Sequence, residues 1–269
     1  MKHLFYIFFI SISLISCVNS TQKPDPIPAH DTFTIQSKNV GEKRVINVWT
    51  PSDYKSNNDS LPVLYMADGG LKEDFPHIAN TISQLIKSKT IPPMILVGIE
   101  NTQRRRDLTG PTIVAKDKEI APVVGGSEKF RAFINDELFS EINKKYRASE
   151  KKGIIGESLS GLFVVETFLL KPEMFDFYIA FDPSLWWNNH YLVKNAGDYL
   201  DKFPSTGKRI WLASSDTEDI APFTKEFVQI LKKKNMPNIK FEYSDEPKEE
   251  HSTIFRATKV KALIWTLGK

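Results

Sequence analysis

Gly153-Ile154-Ile155-Gly156-Glu157-Ser158-Leu159-Ser160-Gly161 joins a short apolar run to a turn of small residues, and an apolar helical pattern follows at once. This order of strand, turn and helix predicts a nucleophile elbow, in which the central serine needs tiny residues two positions before and after it. Gly156 and Ser160 meet that need, although the second position is glycine in the strict motif. The alternative is an ordinary turn in which Ser158 caps the helix.

Composition indicates one globular domain. The chain has 269 residues, of which 41% are apolar, with 18 Phe and 5 Trp. This length suits a single large α/β domain, and the composition argues against disorder. The net charge of +3 is spread over mixed signs. A nucleic-acid-binding protein would concentrate basic residues on one face, so we expect no nucleic-acid partner.

The N-terminus predicts export. Lys2 and His3 precede an apolar run that is too short to cross a membrane as a stable helix. Leu14-Ile15-Ser16-Cys17 resembles a bacterial lipobox, which would make Cys17 the lipidated first residue of the mature protein; the alternative is a plain signal peptide. We predict a signal peptide over 1–16, a proline-rich tether over 17–30 and one folded domain over 31–269. The expected location is the bacterial cell envelope, on the periplasmic or outer-membrane face, with membrane attachment through a lipid anchor at Cys17.

Periodicity predicts an open, mostly parallel sheet. Residues 32–36 and 45–50 alternate and are typical of an antiparallel hairpin at one sheet edge. Continuous apolar runs follow at 62–67, 94–99, 178–181 and 210–213, as in parallel strands that are covered on both faces. Helical patterns lie between these runs, so we expect helices on both faces of the sheet. Active sites in such sheets lie beyond the carboxyl ends of the strands, where Ser158 falls.

A serine hydroxyl becomes a useful nucleophile only when an imidazole takes its proton and an acid orients that imidazole. In hydrolases with this kind of sheet, the acid follows the serine and the histidine follows the acid. Of the five histidines, only His251 satisfies that order. It lies between a strand-like segment and a final helix. The alternative is that His251 is an ordinary solvated histidine in a loop.

Several further segments resemble successive signatures of the esterase D-like family of serine hydrolases, which includes siderophore, feruloyl and acetyl-xylan esterases. The resemblance runs from about Thr32 to the C-terminus. The segments that carry it are 61–70, 104–109, 156–163, 182–187 and 251–253. It implies ester hydrolysis on an α/β-hydrolase fold, with Ser158 as nucleophile and His251 as base.

The chain departs from the family pattern at two positions. Ser160 stands where the family usually has glycine, and Asp182 stands where it usually has serine. Asp182 is either a hydrogen-bonded structural residue or one that reshapes the pocket. The oxyanion hole needs two backbone N–H groups, which we assign to Leu159 and to Gly69 or Gly70. The alternative for the two glycines is that they simply form a tight turn.

Three carboxylates compete for the role of the acid in the loop after the strand at 210–213. Asp216 is closest to the strand end, where an aspartate can instead form the turn. Asp219 stands where a helix would accept a cap. In the family, the acid usually stands about three residues after a small residue at the strand end. Glu218 stands at this distance from Ser215. We therefore rank Glu218 first, Asp219 second and Asp216 third.

Two groups of residues are candidates for a substrate pocket. Arg104 and Arg106 lie on a long loop and could form a polar rim that selects an anionic substrate. The alternative is a solvated charge run in which Asp107 fixes the loop through an arginine. Trp186 and Trp187 follow a strand end and are either core residues or an aromatic wall for a sugar or aryl group.

The leading hypothesis is an envelope-attached serine esterase that cleaves a small-molecule oxygen ester through an acyl-enzyme. This chemistry needs no cofactor and no metal. The alternative hypothesis is a non-catalytic protein on the same fold that binds a siderophore or a glycan. Acyl transfer to an alcohol is a third possibility.

Overall fold

The fold is built on one eight-stranded sheet. The computed structural model describes residues 24–56 and 58–268. In this part of the chain the strand order is β1-β2-β4-β3-β5-β6-β7-β8. The strands are β1 (Asp31–Gln36), β2 (Lys43–Trp49), β3 (Leu61–Met66), β4 (Ile95–Ile99), β5 (Ala148–Glu157), β6 (Phe177–Phe181), β7 (Lys208–Ser214) and β8 (Ile239–Asp245).

Strands β3 to β8 run parallel, whereas β2 pairs antiparallel with both β1 and β4. The mostly parallel sheet and the N-terminal hairpin are therefore confirmed. Alternate residues of one strand face two different cores. On β3, Val63 and Tyr65 belong to one apolar cluster, and Leu64 and Met66 belong to the other. This double burial explains why the central strands are continuously apolar in sequence.

The helices form a layer on each face of the sheet. They are α1 (Phe75–Lys87), α2 (Arg104–Asp107), α3 (Ala115–Ile120), α4 (Ser127–Ala132), α5 (Phe139–Lys145), α6 (Leu159–Leu170), α7 (Trp187–Leu200), α8 (Ala221–Lys234) and α9 (Ile254–Leu267). Apolar residues of α1 and α9 pack on one face, and those of α4, α6, α7 and α8 pack on the other. No helix among the described residues is long and apolar enough to span a membrane.

Two segments differ from the sequence-based expectation. One of the helical patterns expected between the strands is divided into α4 and α5 by a π-helical turn at Phe133–Leu138. Part of the predicted tether contacts the domain: Asp25 forms an ion pair with Arg256 at 2.6 Å, and the Pro26 carbonyl accepts a hydrogen bond from Asn80. The contacts with the domain therefore begin before residue 31. The predicted signal peptide and Cys17 lie outside the described residues.

The register brings three strand ends together. Glu157 on β5 lies beside Phe181 on β6, which lies beside Ala213 on β7. The residues that follow these three strands therefore emerge side by side at one edge, which we call the carboxyl edge. Ser158 and Asp182 are among them.

Candidate active site

Ser158 occupies a strained turn between β5 and α6. Its backbone has φ 59° and ψ −122°, which is an unfavourable region for a residue with a side chain. The Ser158 N–H donates to the Phe181 carbonyl at 3.0 Å, and the Ser158 carbonyl accepts from Leu162 N–H at 2.8 Å. A Cβ at Gly156 would lie 2.3 Å from the Ser160 hydroxyl oxygen. The turn therefore closes only because position 156 is glycine.

His251 and Ser158 are brought together as the sequence order predicts. His251 lies between β8 and α9, and its Nε2 is 3.1 Å from the Ser158 hydroxyl oxygen. The two residues are 93 positions apart in the chain. The ring can therefore take the proton of the serine hydroxyl.

The carboxylate on the far side of the histidine is Asp182. Its Oδ2 lies 3.1 Å from His251 Nδ1, and the residue is 0% exposed. Asp182 directly follows β6 and has a positive φ of 38°. Ser158, His251 and Asp182 thus form one hydrogen-bonded line. An aspartate directly after a buried strand, next to the strand that carries the serine, was the available sequence signal.

The predicted acids are corrected by this geometry. Glu218, Asp219 and Asp216 follow β7, and among the described residues none of them hydrogen-bonds to His251. The loop after β7 instead supports Asp182. The Ser215 N–H and hydroxyl donate to its two oxygens at 2.6 and 2.5 Å. The prediction failed because β6 and β7 are neighbours, so either strand end can deliver a carboxylate to the same imidazole.

The backbone N–H groups predicted as oxyanion donors have different surroundings. Leu159 is the first residue of α6, so its N–H has no acceptor within the helix. By contrast, Gly69 N–H donates to the Ile99 carbonyl at 2.9 Å, and Gly70 N–H donates to the Glu73 carboxylate at 2.6 Å. In this geometry both N–H groups already have acceptors, so neither Gly69 nor Gly70 is placed to be the second oxyanion donor. Both glycines shape the loop before α1 instead.

The two predicted arginines are compensated by carboxylates. Arg104 binds Asp68 through two nitrogens at 2.5 and 2.8 Å. Arg106 contacts Glu42 at 2.6 Å and Asp107 at 2.7 Å. These contacts agree with a charge run that fixes the loop rather than with free cations for an anionic substrate.

The two tryptophans have different surroundings. Trp187 lines an apolar cavity beside α6, and its indole N–H donates to the Gly110 carbonyl at 3.0 Å. Trp186 is partly buried against it, with ring centroids 5.8 Å apart, and does not line that cavity. Of the two tryptophans, Trp187 therefore lines this cavity and Trp186 does not.

Acidic groups surround the histidine. The hydrogen bond that His251 Nδ1 donates to Asp182 raises the pKa of His251 from its ordinary value, and the negative charge of Glu157 acts in the same direction. Burial raises the pKa of Glu157 itself to about 7. The site therefore holds two neighbouring groups whose pKa values are both raised.

The strand order and the serine–histidine–aspartate line at the carboxyl edge define the α/β-hydrolase class. Residues 37–265 match the family described as "Putative esterase". The chain therefore belongs to this esterase family and is a carboxylic-ester hydrolase.

Curated relatives and solved structures agree with this membership. The ferri-bacillibactin esterase BesA of Bacillus subtilis (strain 168) is 27% identical over 268 residues, covering 90% of each chain. The siderophore triacetylfusarinine C esterase of Aspergillus fumigatus is 27% identical over 197 residues, covering 66% of this chain and 63% of that one. The BES protein from Bacillus cereus has the same fold, with a TM-score of 0.81 at 21% identity over 92% of this chain and 100% of that one.

We predict that Glu157→Gln lowers the pKa of His251, because it removes a negative charge that stabilises the imidazolium. His251 must be neutral to accept a proton, so the acid limb of the pH–rate profile should move to lower pH. An NMR titration of the His251 ring measures the shift directly. Glu150→Gln is the matched control, because the Glu150 side chain is on the same strand and 99% exposed. An equal shift in both variants, or none in Glu157→Gln, would contradict the prediction.

We also predict that Ser160→Ala folds normally and changes the free energy of unfolding by less than about 1 kcal/mol, since it deletes a buried hydroxyl that has no hydrogen-bond partner among the described residues. Gly156→Ala should cost about 1–3 kcal/mol, because its Cβ collides with Ser160. Chemical denaturation of both variants provides the measurement. Equal stabilities would show that the turn has room for a side chain at position 156.

Proposed function

We propose that this protein hydrolyses an oxygen ester through an acyl-enzyme, with Ser158 as nucleophile, His251 as general base and Asp182 as the acid that orients the imidazole. The observation that carries the proposal is the line of two 3.1 Å contacts from Ser158 through His251 to Asp182. A protein that only bound a ligand would have no need of this alignment.

The order of the proton transfers follows from which atom in each of these contacts donates and which accepts. His251 Nε2 takes the proton as the Ser158 oxygen attacks the ester carbonyl carbon. The Leu159 N–H, at the start of α6, stabilises the resulting oxyanion. The imidazolium then gives its proton to the leaving alcohol, and the acyl group stays on Ser158. Water, activated by the same imidazole, releases the acid and restores the serine.

Asp182 supports these proton transfers through its own environment. Its hydrogen bond to Nδ1 selects the tautomer that leaves Nε2 facing Ser158, and its charge stabilises the imidazolium. The two donors from Ser215 hold the carboxylate in one orientation. Since Asp182 is fully buried, its interaction with His251 is weakly screened by water.

The relatives suggest the substrate class. BesA is described as a ferri-bacillibactin esterase and the Aspergillus fumigatus relative as an esterase of siderophore triacetylfusarinine C. We propose that the substrate of this protein is likewise a siderophore ester. A proposed lipid anchor at Cys17 would place the enzyme in the cell envelope.

Ser158→Ala should abolish ester hydrolysis in a folded protein, since loss of a triad nucleophile costs several orders of magnitude in rate. Asp182→Asn should lower kcat by about 10³–10⁴-fold, with little effect on substrate binding, because the amide favours the wrong tautomer. Glu218→Gln is the matched control and should have little effect. Steady-state kinetics on an activated acetyl ester provide the measurement. An equal loss in Asp182→Asn and Glu218→Gln would refute the assignment of the acid.

Cys17→Ser should release the protein from membranes, because two acyl chains at this residue would supply stable attachment. Fractionation of cells that express each form shows the partition, and mass spectrometry of the mature N-terminus identifies the modification. Membrane attachment that persists in Cys17→Ser would rule out the anchor.

A further inference from the structure

The segment after β6 brings two side chains to the active site. Asp182 turns the chain at the end of β6 with a positive φ of 38°, and its carboxylate contacts His251. Ser184, two residues further on, has its hydroxyl oxygen 3.4 Å from the hydroxyl oxygen of Ser158. The two contacts lie at opposite ends of the hydrogen-bonded line from Asp182 through His251 to Ser158. Ser184 therefore extends this line by one hydroxyl group beyond the nucleophile.

The backbone holds Ser184 against the nucleophile. The Ser184 N–H donates to the Ser158 carbonyl at 3.1 Å, and the Ser184 carbonyl accepts from Trp187 N–H at 3.1 Å. Pro183, directly before Ser184, has a fixed φ. A Cβ at Gly161 would lie 3.1 Å from the Pro183 Cα, so the lack of a side chain there lets this segment approach α6. Fixed backbone contacts therefore determine where the Ser184 hydroxyl lies.

The Ser184 hydroxyl is directed at the nucleophile alone. Ser184 is 2% exposed, so water has almost no access to it. Within the part of the chain that the structure describes, its hydroxyl forms a hydrogen bond with the Ser158 hydroxyl and with no other group. A buried hydroxyl that loses its partner is costly, so this contact is favoured in the folded protein.

The direction of this hydrogen bond follows from the number of protons. A serine hydroxyl has one proton and two lone pairs. When His251 Nδ1–H donates to Asp182, Nε2 is unprotonated, and the Ser158 proton points to Nε2. The Ser158 oxygen then has only lone pairs for its second contact. The Ser184 hydroxyl is therefore the donor, and the Ser158 oxygen is the acceptor.

This hydrogen bond is long while the Ser158 oxygen is neutral. Its length of 3.4 Å exceeds the usual O–H···O distance of about 2.7–2.8 Å, so it is weak. Hydrogen bonds to a negatively charged oxygen are shorter and stronger. The contact therefore gains strength when negative charge develops on the Ser158 oxygen. An interaction that is stronger in the transition state than in the ground state increases the reaction rate.

The gain is larger in deacylation than in acylation. Before acylation the Ser158 oxygen belongs to a hydroxyl group, which already accepts from Ser184. In the acyl-enzyme the same oxygen belongs to an ester, where it shares its lone pairs with the carbonyl group and is a poorer acceptor. The difference in hydrogen-bond strength between ground state and transition state is therefore greater when the acyl group leaves.

Deacylation places this charge on the Ser158 oxygen in a defined step. Water adds to the acyl carbon and gives one proton to His251 Nε2. The bond between the acyl carbon and the Ser158 oxygen then breaks, and its electron pair stays on that oxygen. The oxygen takes the proton back from Nε2, so the resting site is restored. Ser184 keeps its own proton throughout and stabilises the leaving oxygen.

We propose that Ser184 is a further catalytic residue, whose hydroxyl donates a hydrogen bond to the Ser158 oxygen as this oxygen leaves the acyl carbon. The inference rests on the proposed function, because it concerns the second half of the acyl-enzyme mechanism. It gives the segment after β6 two roles, since Asp182 orients the base and Ser184 stabilises the leaving oxygen.

The test measures the two half-reactions separately. The p-nitrophenyl ester of trimethylacetic acid is the probe, because its hindered acyl carbon slows the attack of water and lets the acyl-enzyme accumulate. Stopped-flow absorbance gives the acylation rate constant from the burst of p-nitrophenol and the deacylation rate constant from the steady state. We expect Ser184→Ala to lower the deacylation rate constant about tenfold and the acylation rate constant by no more than about threefold.

Other roles of Ser184 predict different results. If Ser184 only supported the position of Ser158, its loss would slow acylation at least as much as deacylation. If Ser184 donated to the carbonyl oxygen of the substrate, its loss would slow both half-reactions equally. Either result, or an unchanged deacylation rate constant in Ser184→Ala, would overturn the proposal.

Thr266→Val is the control for the loss of a buried hydroxyl. Thr266 is 1% exposed, lies near the end of α9, and its hydroxyl has no hydrogen-bond partner in the described part of the chain. Valine keeps the shape of the side chain, so both rate constants should stay at the wild-type values. A loss of deacylation in Thr266→Val equal to that in Ser184→Ala would show that the effect is not specific to the site.

Ser184→Cys keeps the inference testable if Ser184→Ala does not fold. The thiol fills the space of the hydroxyl but is only a weak donor. Ser184→Cys should therefore also slow deacylation more than acylation, and a wild-type deacylation rate constant in the folded variant would overturn the proposal. Mass spectrometry of the wild type tests the proposed function separately. Failure to find a trimethylacetyl group on Ser158 would refute that function, whereas an acyl-enzyme that deacylates equally fast in Ser184→Ala would refute only the role of Ser184.

Discussion

The strained turn at Ser158 is the constraint on which the site depends. A backbone conformation of this kind costs about 1–3 kcal/mol and persists only where its surroundings hold it. Here the Ser158 N–H donates to the end of β6, and its carbonyl accepts from Leu162 and Ser184. Gly156 provides the space that the turn needs. The result is a hydroxyl that projects from the carboxyl edge while the flanking strand and helix stay regular.

The same edge explains how this protein supplies its acid. Strands β6 and β7 are parallel neighbours, so the residues after them emerge side by side. Asp182, after β6, carries the carboxylate, and Ser215, after β7, donates two hydrogen bonds to it. The two positions act as a pair that holds one imidazole. The family that this chain resembles usually has serine at the position of Asp182. This chain differs from that pattern and still has a carboxylate hydrogen-bonded to His251.

Charge at the carboxyl edge is compensated locally. Arg104 neutralises Asp68 through a bidentate contact, whereas Glu157 has no hydrogen-bonded partner among the described residues. The pKa of Glu157 is therefore raised to about 7 by burial, and its charge adds to the effect of Asp182 on His251. The proton affinity of His251 thus depends on Asp182, which accepts its hydrogen bond, and also on the charges of Glu157 and Asp219, which do not hydrogen-bond to it.

The sequence by itself determined the parts that depend on neighbouring residues and on chain order. Apolar runs identified the buried parallel strands, the small residues around Ser158 identified the turn, and the order of the chain selected His251. These features are local, or nearly so, because strand burial and turn sterics act over a few residues. The tertiary structure decided the acid, since only strand adjacency shows that Asp182 reaches the imidazole and Glu218 does not. It also decided the surroundings of Gly70, whose N–H donates to the Glu73 carboxylate through a side-chain contact that no local pattern of the sequence identified.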